Sequence, residues 1–63
     1  MSVGDNILQL REERNISQAE LARRVTISQS MLSQIEKGIK NPSLLVGKEI
    51  ADSLGCSVDR LLE

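Results

Sequence analysis

Apolar residues recur every three or four positions in five stretches of this chain, which is the spacing of one face of an α-helix. A serine stands just before each stretch, where its hydroxyl can accept a hydrogen bond from a free backbone N–H of the first helical turn. These serines are Ser2, Ser17, Ser28, Ser43 and Ser57. The pattern predicts helices near residues 3–14, 18–24, 29–36, 44–54 and 58–62. No segment alternates with a period of two, so no strand is expected.

Each predicted helix has one apolar face. Helices this short are not stable alone in water, so they must pack on one another. We therefore expect an all-α fold in which residues 1–63 form a single compact five-helix domain. The core candidates are Ile7, Leu10, Leu21, Ala22, Val25, Leu32, Ile35, Val46, Ile50, Ala51, Leu54, Val58, Leu61 and Leu62.

The chain also carries signals for individual helix ends. Ser17 is followed three residues later by Glu20, which is the spacing of a capping box, and Ser2 with Asp5 makes a weaker version. These pairs mark two helix starts independently of the apolar pattern. The residues that suit the left-handed conformation at the end of a helix are Asn15, Gly38 and Gly55.

The composition excludes several classes of protein. Among 63 residues there is no His, no Phe, Tyr or Trp, and a single cysteine, Cys56. A His- or Cys-ligated metal site, a Ser–His–Asp triad and a His general base are therefore excluded, as is a disulfide within the chain. We expect neither an enzyme nor a cofactor. Cys56 is expected to pack as a small hydrophobe.

Membrane and export signals are also missing from the sequence. No apolar stretch approaches the ~20 residues of a membrane span. Residues 1–6 have neither the basic start nor the apolar run of a signal peptide. The simplest expectation is a reduced, cytoplasmic protein.

The charges are unevenly distributed along the chain. Residues 23–48 hold five basic residues against one acidic residue, a net charge of +4. The remaining residues, with three basic and eight acidic, carry −5, so the whole chain carries −1. Two interpretations are open: the basic middle forms one anion-binding face, or it is an ordinary solvated surface.

The connection between the second and third predicted helices contains only Thr26, Ile27 and Ser28. A turn this short makes the two helices cross at a steep angle, as in a helix-turn-helix. On the third helix the outer face is polar and almost uncharged, and amides and hydroxyls of this kind suit the edges of DNA bases. An ordinary polar surface helix is the alternative. The outer residues are Gln29, Ser30, Ser33, Gln34 and Lys37.

Glu36 falls on the core side of the same helix. A buried carboxylate without a cation costs several kcal/mol, on the order given for unpaired buried charges. Arg11 borders the apolar face of the first helix. We therefore predict an Arg11–Glu36 ion pair with a structural role.

Six sequence motifs follow one another with the spacing of a known family. They are L-R-E-E-R at 10–14, S-Q-A-E-L-A at 17–22, S-Q-S-M-L-S-Q-I-E-K-G at 28–38, N-P-S-L at 41–44, I-A-D-S-L-G at 50–55 and S-V-D-R-L-L at 57–62. In these motifs the segment 7–62 resembles the Xre family, the helix-turn-helix domains of Cro and the lambda-type phage repressors. The resemblance implies a lambda-repressor-like domain that binds operator DNA, usually as a homodimer, with its third helix in the major groove.

Carried over onto this chain, the resemblance implies two groups of DNA contacts. Arg23 and Arg24 belong to neither group, and they either add long-range attraction to the DNA or are ordinary solvated charges. Base reading is implied for Gln29, Ser30, Ser33 and Gln34. Contacts to the DNA backbone are implied for Gln18, Ser28, Lys37, Lys40, Asn41 and Ser43.

Two functions remain open at this point. The first is a sequence-specific transcriptional regulator of bacterial or phage type, a repressor that occludes polymerase. The sequence leaves open whether such a regulator is complete in this chain or has a further protein partner or sensor domain outside it. The second is a protein-interaction module, resembling an antitoxin in binding a partner, that uses Leu45, Val46 and the fifth helix. The polar third helix favours the first function, and the net charge of −1 favours the second.

The chain departs from the family pattern at several positions, among them Leu45, where a polar residue is usual. Thr26 stands in the turn where the family often has Gly, which strains the turn by about 1 kcal/mol or requires a different local conformation. Gln29 and Gln34 stand where Arg is frequent, which indicates adenine rather than guanine contacts. Gly47 either permits a close helix contact or only weakens the fourth helix.

Overall fold

A computed structural model describes residues 2–63, and Met1, the first residue of the predicted domain, lies outside this range. The described residues form five helices and no strand. Every helix begins and ends within one residue of its predicted bounds. None of these helices has the length and apolar content needed to cross a membrane. The helices are α1 (Val3–Glu13), α2 (Gln18–Val25), α3 (Gln29–Glu36), α4 (Leu44–Leu54) and α5 (Val58–Leu62).

Each helix starts at the serine that the sequence predicts. In every case the serine hydroxyl accepts a hydrogen bond from the backbone N–H three residues further on, which satisfies one of the orphan donors of the first turn. The capping boxes differ from expectation. The complete box is at Ser2, whose N–H donates to Asp5. At Ser17 only half of the box forms, because the Glu20 carboxylate accepts from Arg23 and Arg24 on the same helix.

Positive φ angles close several of the helices. Asn15, Gly38 and Gly55 adopt this conformation, as predicted. Thr26 adopts it too, with φ 65° and ψ 39° at the C-terminal end of α2. The turn therefore keeps the left-handed geometry that suits Gly, and the β-branched Thr26 bears the strain.

The five helices share one apolar core. Eleven apolar residues from all five helices are buried, among them Leu21, Leu32 and Ile50 with no exposed surface. Cys56 packs against this core as a partly buried hydrophobe. Within residues 2–63, no buried side-chain nitrogen or oxygen lacks a hydrogen-bond partner. Asn6 is the buried polar residue that joins the chain ends, since its Nδ2 donates to the Leu61 carbonyl at 2.9 Å.

Helix α1 approaches the end of α3 very closely at Gly4. A Cβ atom on Gly4 would lie 2.8 Å from the Glu36 carbonyl oxygen and closer still to that of Ile35. Both are backbone atoms, which cannot turn aside as a side chain can. Gly47 is different, because a Cβ there would meet nothing within 4 Å. Gly47 therefore permits no close contact in this fold and only weakens α4.

These two glycines make a matched pair of stability predictions. Gly4→Ala should lower the free energy of unfolding by about 1–3 kcal/mol, because it overpacks a backbone contact. Gly47→Ala should raise it by about 0.5–1 kcal/mol, because alanine favours a helix interior. Urea denaturation followed by circular dichroism measures both. A Gly4→Ala variant as stable as the parent would contradict the close approach.

The strained turn gives a second prediction. Thr26→Gly should raise the free energy of unfolding by about 1 kcal/mol, because glycine adopts positive φ without steric cost. Thr26→Val keeps the branched Cβ and should give no gain. The melting temperatures of the two variants are compared with each other. Equal melting temperatures for Thr26→Gly and Thr26→Val would show that the turn is not strained.

Candidate nucleic-acid interface

Helices α2 and α3 form a helix-turn-helix. Only three residues separate them, and both helices bury their apolar faces in the shared core. Ile27 in the turn packs against the same core and so fixes the turn against the rest of the domain. The opposite side of α3 is therefore left at the surface in a fixed orientation.

The four predicted base-reading residues lie together along this outer side of α3. Gln29 and Ser30 in the first turn are exposed, and Ser33 and Gln34 one turn later are partly buried. The only charged residue of α3 is Glu36, which is 7% exposed. The accessible surface of α3 consequently offers amides and hydroxyls, which donate and accept hydrogen bonds, and no accessible charge.

The ion pair predicted between Arg11 and Glu36 is present at the inner side of α3. Arg11 Nε donates to Glu36 Oε2 at 2.8 Å, and Arg11 Nη2 donates to Glu36 Oε1 at 3.1 Å. Arg11 Nη1 donates to the Ile16 carbonyl at 2.9 Å. The side chains are only 11% and 5% exposed. This bidentate pair ties the end of α1 and the loop before α2 to the end of α3.

Gln18 makes side-chain contacts that the sequence did not indicate. Its Nε2 donates to Glu36 Oε1 at 2.9 Å, and its Oε1 accepts from Gln29 Nε2 at 3.2 Å. Gln18 therefore stands between the buried carboxylate and the first residue of α3. The sequence could not indicate this contact, because an uncharged amide at a helix start does not require a particular partner, as the buried charge of Glu36 does.

The predicted backbone contacts lie beyond the two ends of α3. Ser28 caps α3 and Ser43 caps α4, accepting from Met31 and Val46 at 3.0 and 3.1 Å. Each hydroxyl keeps its own hydrogen, which can donate to a phosphate oxygen. The exposed residues after α3 that complete the predicted set are Lys37, Lys40 and Asn41.

The structure separates the basic residues of the middle segment into two groups. Arg23 and Arg24 both bond to Glu20, and Lys48 bonds to Asp52 at 3.3 Å. Within residues 2–63, neither Lys37 nor Lys40 has an acidic partner. The positive charge available for an anion is therefore concentrated just after α3, and the pairing favours the solvated interpretation of Arg23 and Arg24.

A second surface feature is an apolar groove between the start of α4 and α5. It has a volume of about 250 Å³ and is lined by Leu44 and Leu62, together with Asn41 and Ser43. Leu44 is 84% exposed, and Leu62 is 63% exposed, so the prediction of Leu62 as a core residue was wrong. Leu45, which the sequence offered as an interface residue, is 67% exposed but does not line the groove.

The buried ion pair yields a stability prediction. Glu36→Ala should lower the free energy of unfolding by about 3–5 kcal/mol, because it leaves the Arg11 guanidinium buried without a partner. Glu12→Ala, at an exposed position of α1, is the matched control and should change stability by less than about 0.5 kcal/mol. Urea denaturation distinguishes the two. Equal stability of both variants would contradict a structural role for the pair.

Comparison with known proteins places this geometry in a family. The helix-turn-helix family model matches residues 7–61. The immunity repressor of Bacillus phage phi105 is 37% identical over 62 residues, which are 98% of this chain and 43% of the repressor. The chain thus spans less than half the length of that relative.

Solved structures agree with the family match. The biofilm regulator SinR in complex with DNA has a TM-score of 0.90 and 35% identity, over 97% of this chain and 98% of the SinR chain. The P22 c2 repressor in complex with a synthetic operator has a TM-score of 0.94 and 30% identity, over 100% of this chain and 96% of the repressor chain. The chain belongs to the Xre-type helix-turn-helix family.

Proposed function

We propose that this chain is the sequence-specific DNA-binding domain of a transcriptional repressor. The observation that carries the proposal is the outer surface of α3. It offers neutral hydrogen-bonding groups beside two lysines for which residues 2–63 provide no acidic partner. A surface that only needs to be solvated gains nothing from this separation of neutral and basic residues. The phage phi105 relative is an immunity repressor, and the SinR and P22 c2 structures contain DNA, which supports the same assignment.

Base reading is assigned to the four polar residues of α3. With α3 in the major groove, the Gln29 and Gln34 amides can each bond to N6 and N7 of adenine. The Ser30 and Ser33 hydroxyls can donate or accept, so they suit several bases. Because this surface has no accessible charge, its contribution is to specificity more than to long-range attraction.

Phosphate contacts are assigned to the two ends of α3. On one side, Gln18 and Ser28 lie at the start of α2 and α3, where free backbone N–H groups attract anions. On the other side, Lys37 and Lys40 supply positive charge, assisted by Asn41 and Ser43. Phosphate contacts on both sides hold α3 in the groove in one register, as backbone contacts do in other DNA-binding proteins.

The repressor is proposed to act as a homodimer in the cytoplasm and without a cofactor. Asn41 and Ser43 line the apolar groove and also belong to the proposed DNA contacts. A second copy that covers Leu44 and Leu62 would therefore adjoin the same duplex. Two copies then occupy half-sites about 10 bp apart and block polymerase.

Selection of binding sites from a randomised duplex library tests the proposal. At moderate salt we expect enrichment of an inverted repeat with half-sites about 10 bp apart. The double variant Gln29→Ala with Gln34→Ala should fold and lose the enrichment. A folded parent domain that enriches no sequence would contradict the proposal and favour a protein-interaction module that uses Leu45, Val46 and α5.

The grouping of the basic residues predicts a difference in salt dependence. Lys37→Ala and Lys40→Ala should each reduce the slope of log Kd against log salt by about 1, because each removes one phosphate contact. Arg23→Ala is the matched control and should leave the slope unchanged, since Arg23 is paired with Glu20. Fluorescence anisotropy over a range of salt concentrations gives the slopes. A drop at Arg23 equal to that at the lysines would contradict the assignment.

A further inference from the structure

A chain of hydrogen bonds runs from the buried ion pair to the surface of α3. Arg11 donates to Glu36, Gln18 donates to Glu36, and Gln29 donates to Gln18. We infer that Glu36 is a positioning residue, which sets the orientation of the Gln29 amide and thereby its preference for adenine over guanine. The inference rests on the proposed DNA-binding function.

The direction of this chain follows from the charge of Glu36. Both oxygens of the Glu36 carboxylate accept hydrogen bonds from Arg11, and a carboxylate has no hydrogen to donate. The Gln18 amide must therefore turn its NH₂ group toward Glu36, where the Nε2–Oε1 distance is 2.9 Å. The reverse orientation would place the Gln18 carbonyl oxygen against a carboxylate oxygen. A buried charge thus selects one of the two orientations that an isolated glutamine would adopt.

The orientation of Gln18 is passed on to Gln29. With its NH₂ group on Glu36, Gln18 presents its carbonyl oxygen to Gln29, which must donate from Nε2 at 3.2 Å. This contact uses one of the two Nε2 hydrogens of Gln29. What remains free on Gln29 is one N–H donor and the Oε1 acceptor, side by side.

One donor beside one acceptor matches adenine and not guanine. Adenine presents N7 as an acceptor and its N6 amino group as a donor in the major groove, whereas guanine presents two acceptors, N7 and O6. A freely rotating glutamine could turn both Nε2 hydrogens toward guanine. Gln29 held by Gln18 has only one hydrogen left, so its Oε1 would face the O6 atom of guanine.

Glu36 is separated from the DNA in this arrangement. It is 7% exposed, and its effect on a base passes through Gln18 and Gln29. The second Nε2 hydrogen of Gln18 is free for a phosphate oxygen, so the same amide can join the backbone contact to the base contact. Glu36 therefore combines the stabilising role predicted from the sequence with a role in specificity.

Competition binding with two duplexes tests the inference. The two duplexes are identical except at one operator position, which carries adenine in one and guanine in the other. This position is the one at which the parent domain prefers one base and the Gln29→Ala variant has no preference. We expect the parent to prefer adenine by about tenfold or more. Arg11→Met combined with Glu36→Leu replaces the ion pair by apolar side chains, which a folded core tolerates. In this double variant the preference should fall to about threefold or less, since Gln18 and Gln29 are free to turn.

Two further variants separate positioning from stability. Gln18→Leu removes the hydrogen bonds between Glu36 and Gln29 while leaving Arg11 and Glu36 paired, so this variant should also lose the preference for adenine. If the double variant fails to fold, Gln18→Leu alone decides the test. Ile50→Val weakens the core by about 1 kcal/mol away from α3 and should keep the full preference. Tm values measured alongside show that the variants being compared are folded.

The outcomes distinguish this inference from the proposed function. A parent domain that selects no DNA sequence contradicts both. A parent that selects an operator but whose Gln29-dependent base is guanine overturns the inference and leaves DNA binding in place. The inference is also overturned, with DNA binding left in place, if the folded double variant and Gln18→Leu both keep the full adenine preference.

Discussion

The guanidinium of Arg11 and the carboxylate of Glu36 are buried together where the end of α1, the start of α2 and the end of α3 meet. Removing two charges from water is costly, and the cost is recovered only when the geometry is good and the remaining hydrogen-bonding groups are satisfied. Here the carboxylate receives three donors, two from Arg11 and one from Gln18. The pair therefore tolerates little displacement, and α3 is held with its polar side outward.

The rest of the structure supports this arrangement of α3. At Gly4 the backbone of α1 lies against the last carbonyls of α3, and Asn6, two residues later, bonds to the Leu61 carbonyl. The polar surface of α3 is therefore presented by a rigid base rather than by a loop. A chain with a net charge of −1 can still offer a local site for an anion. Arg23 and Arg24 are paired with Glu20 inside α2, whereas Lys37 and Lys40 form no ion pair in the part of the chain that the structure describes.

The features that the sequence could predict either have local causes or involve a buried charge that needs a partner. A serine hydroxyl caps the helix that follows it, and a short turn ends at the next cap, so the helix bounds and the helix-turn-helix followed from the sequence. Glu36 could be paired with Arg11 because a charge on an apolar face requires a partner. Only half of the capping box predicted at Ser17 and Glu20 forms, because arginines on the same helix occupy the Glu20 carboxylate. The contact of Gln18 with Glu36 and the approach at Gly4 depend on how the helices pack, which no local pattern records.

The most direct test of DNA recognition by α3 is an NMR titration of the folded domain with a duplex containing its selected site. The side-chain NH₂ signals of Gln18, Gln29 and Gln34 should shift strongly, together with backbone amides of residues 28–43. The NH₂ signal of Gln9, which bonds to Glu13 on the exposed side of α1, should not move. Shifts confined to α4 and α5, with the α3 amides unchanged, would contradict the account.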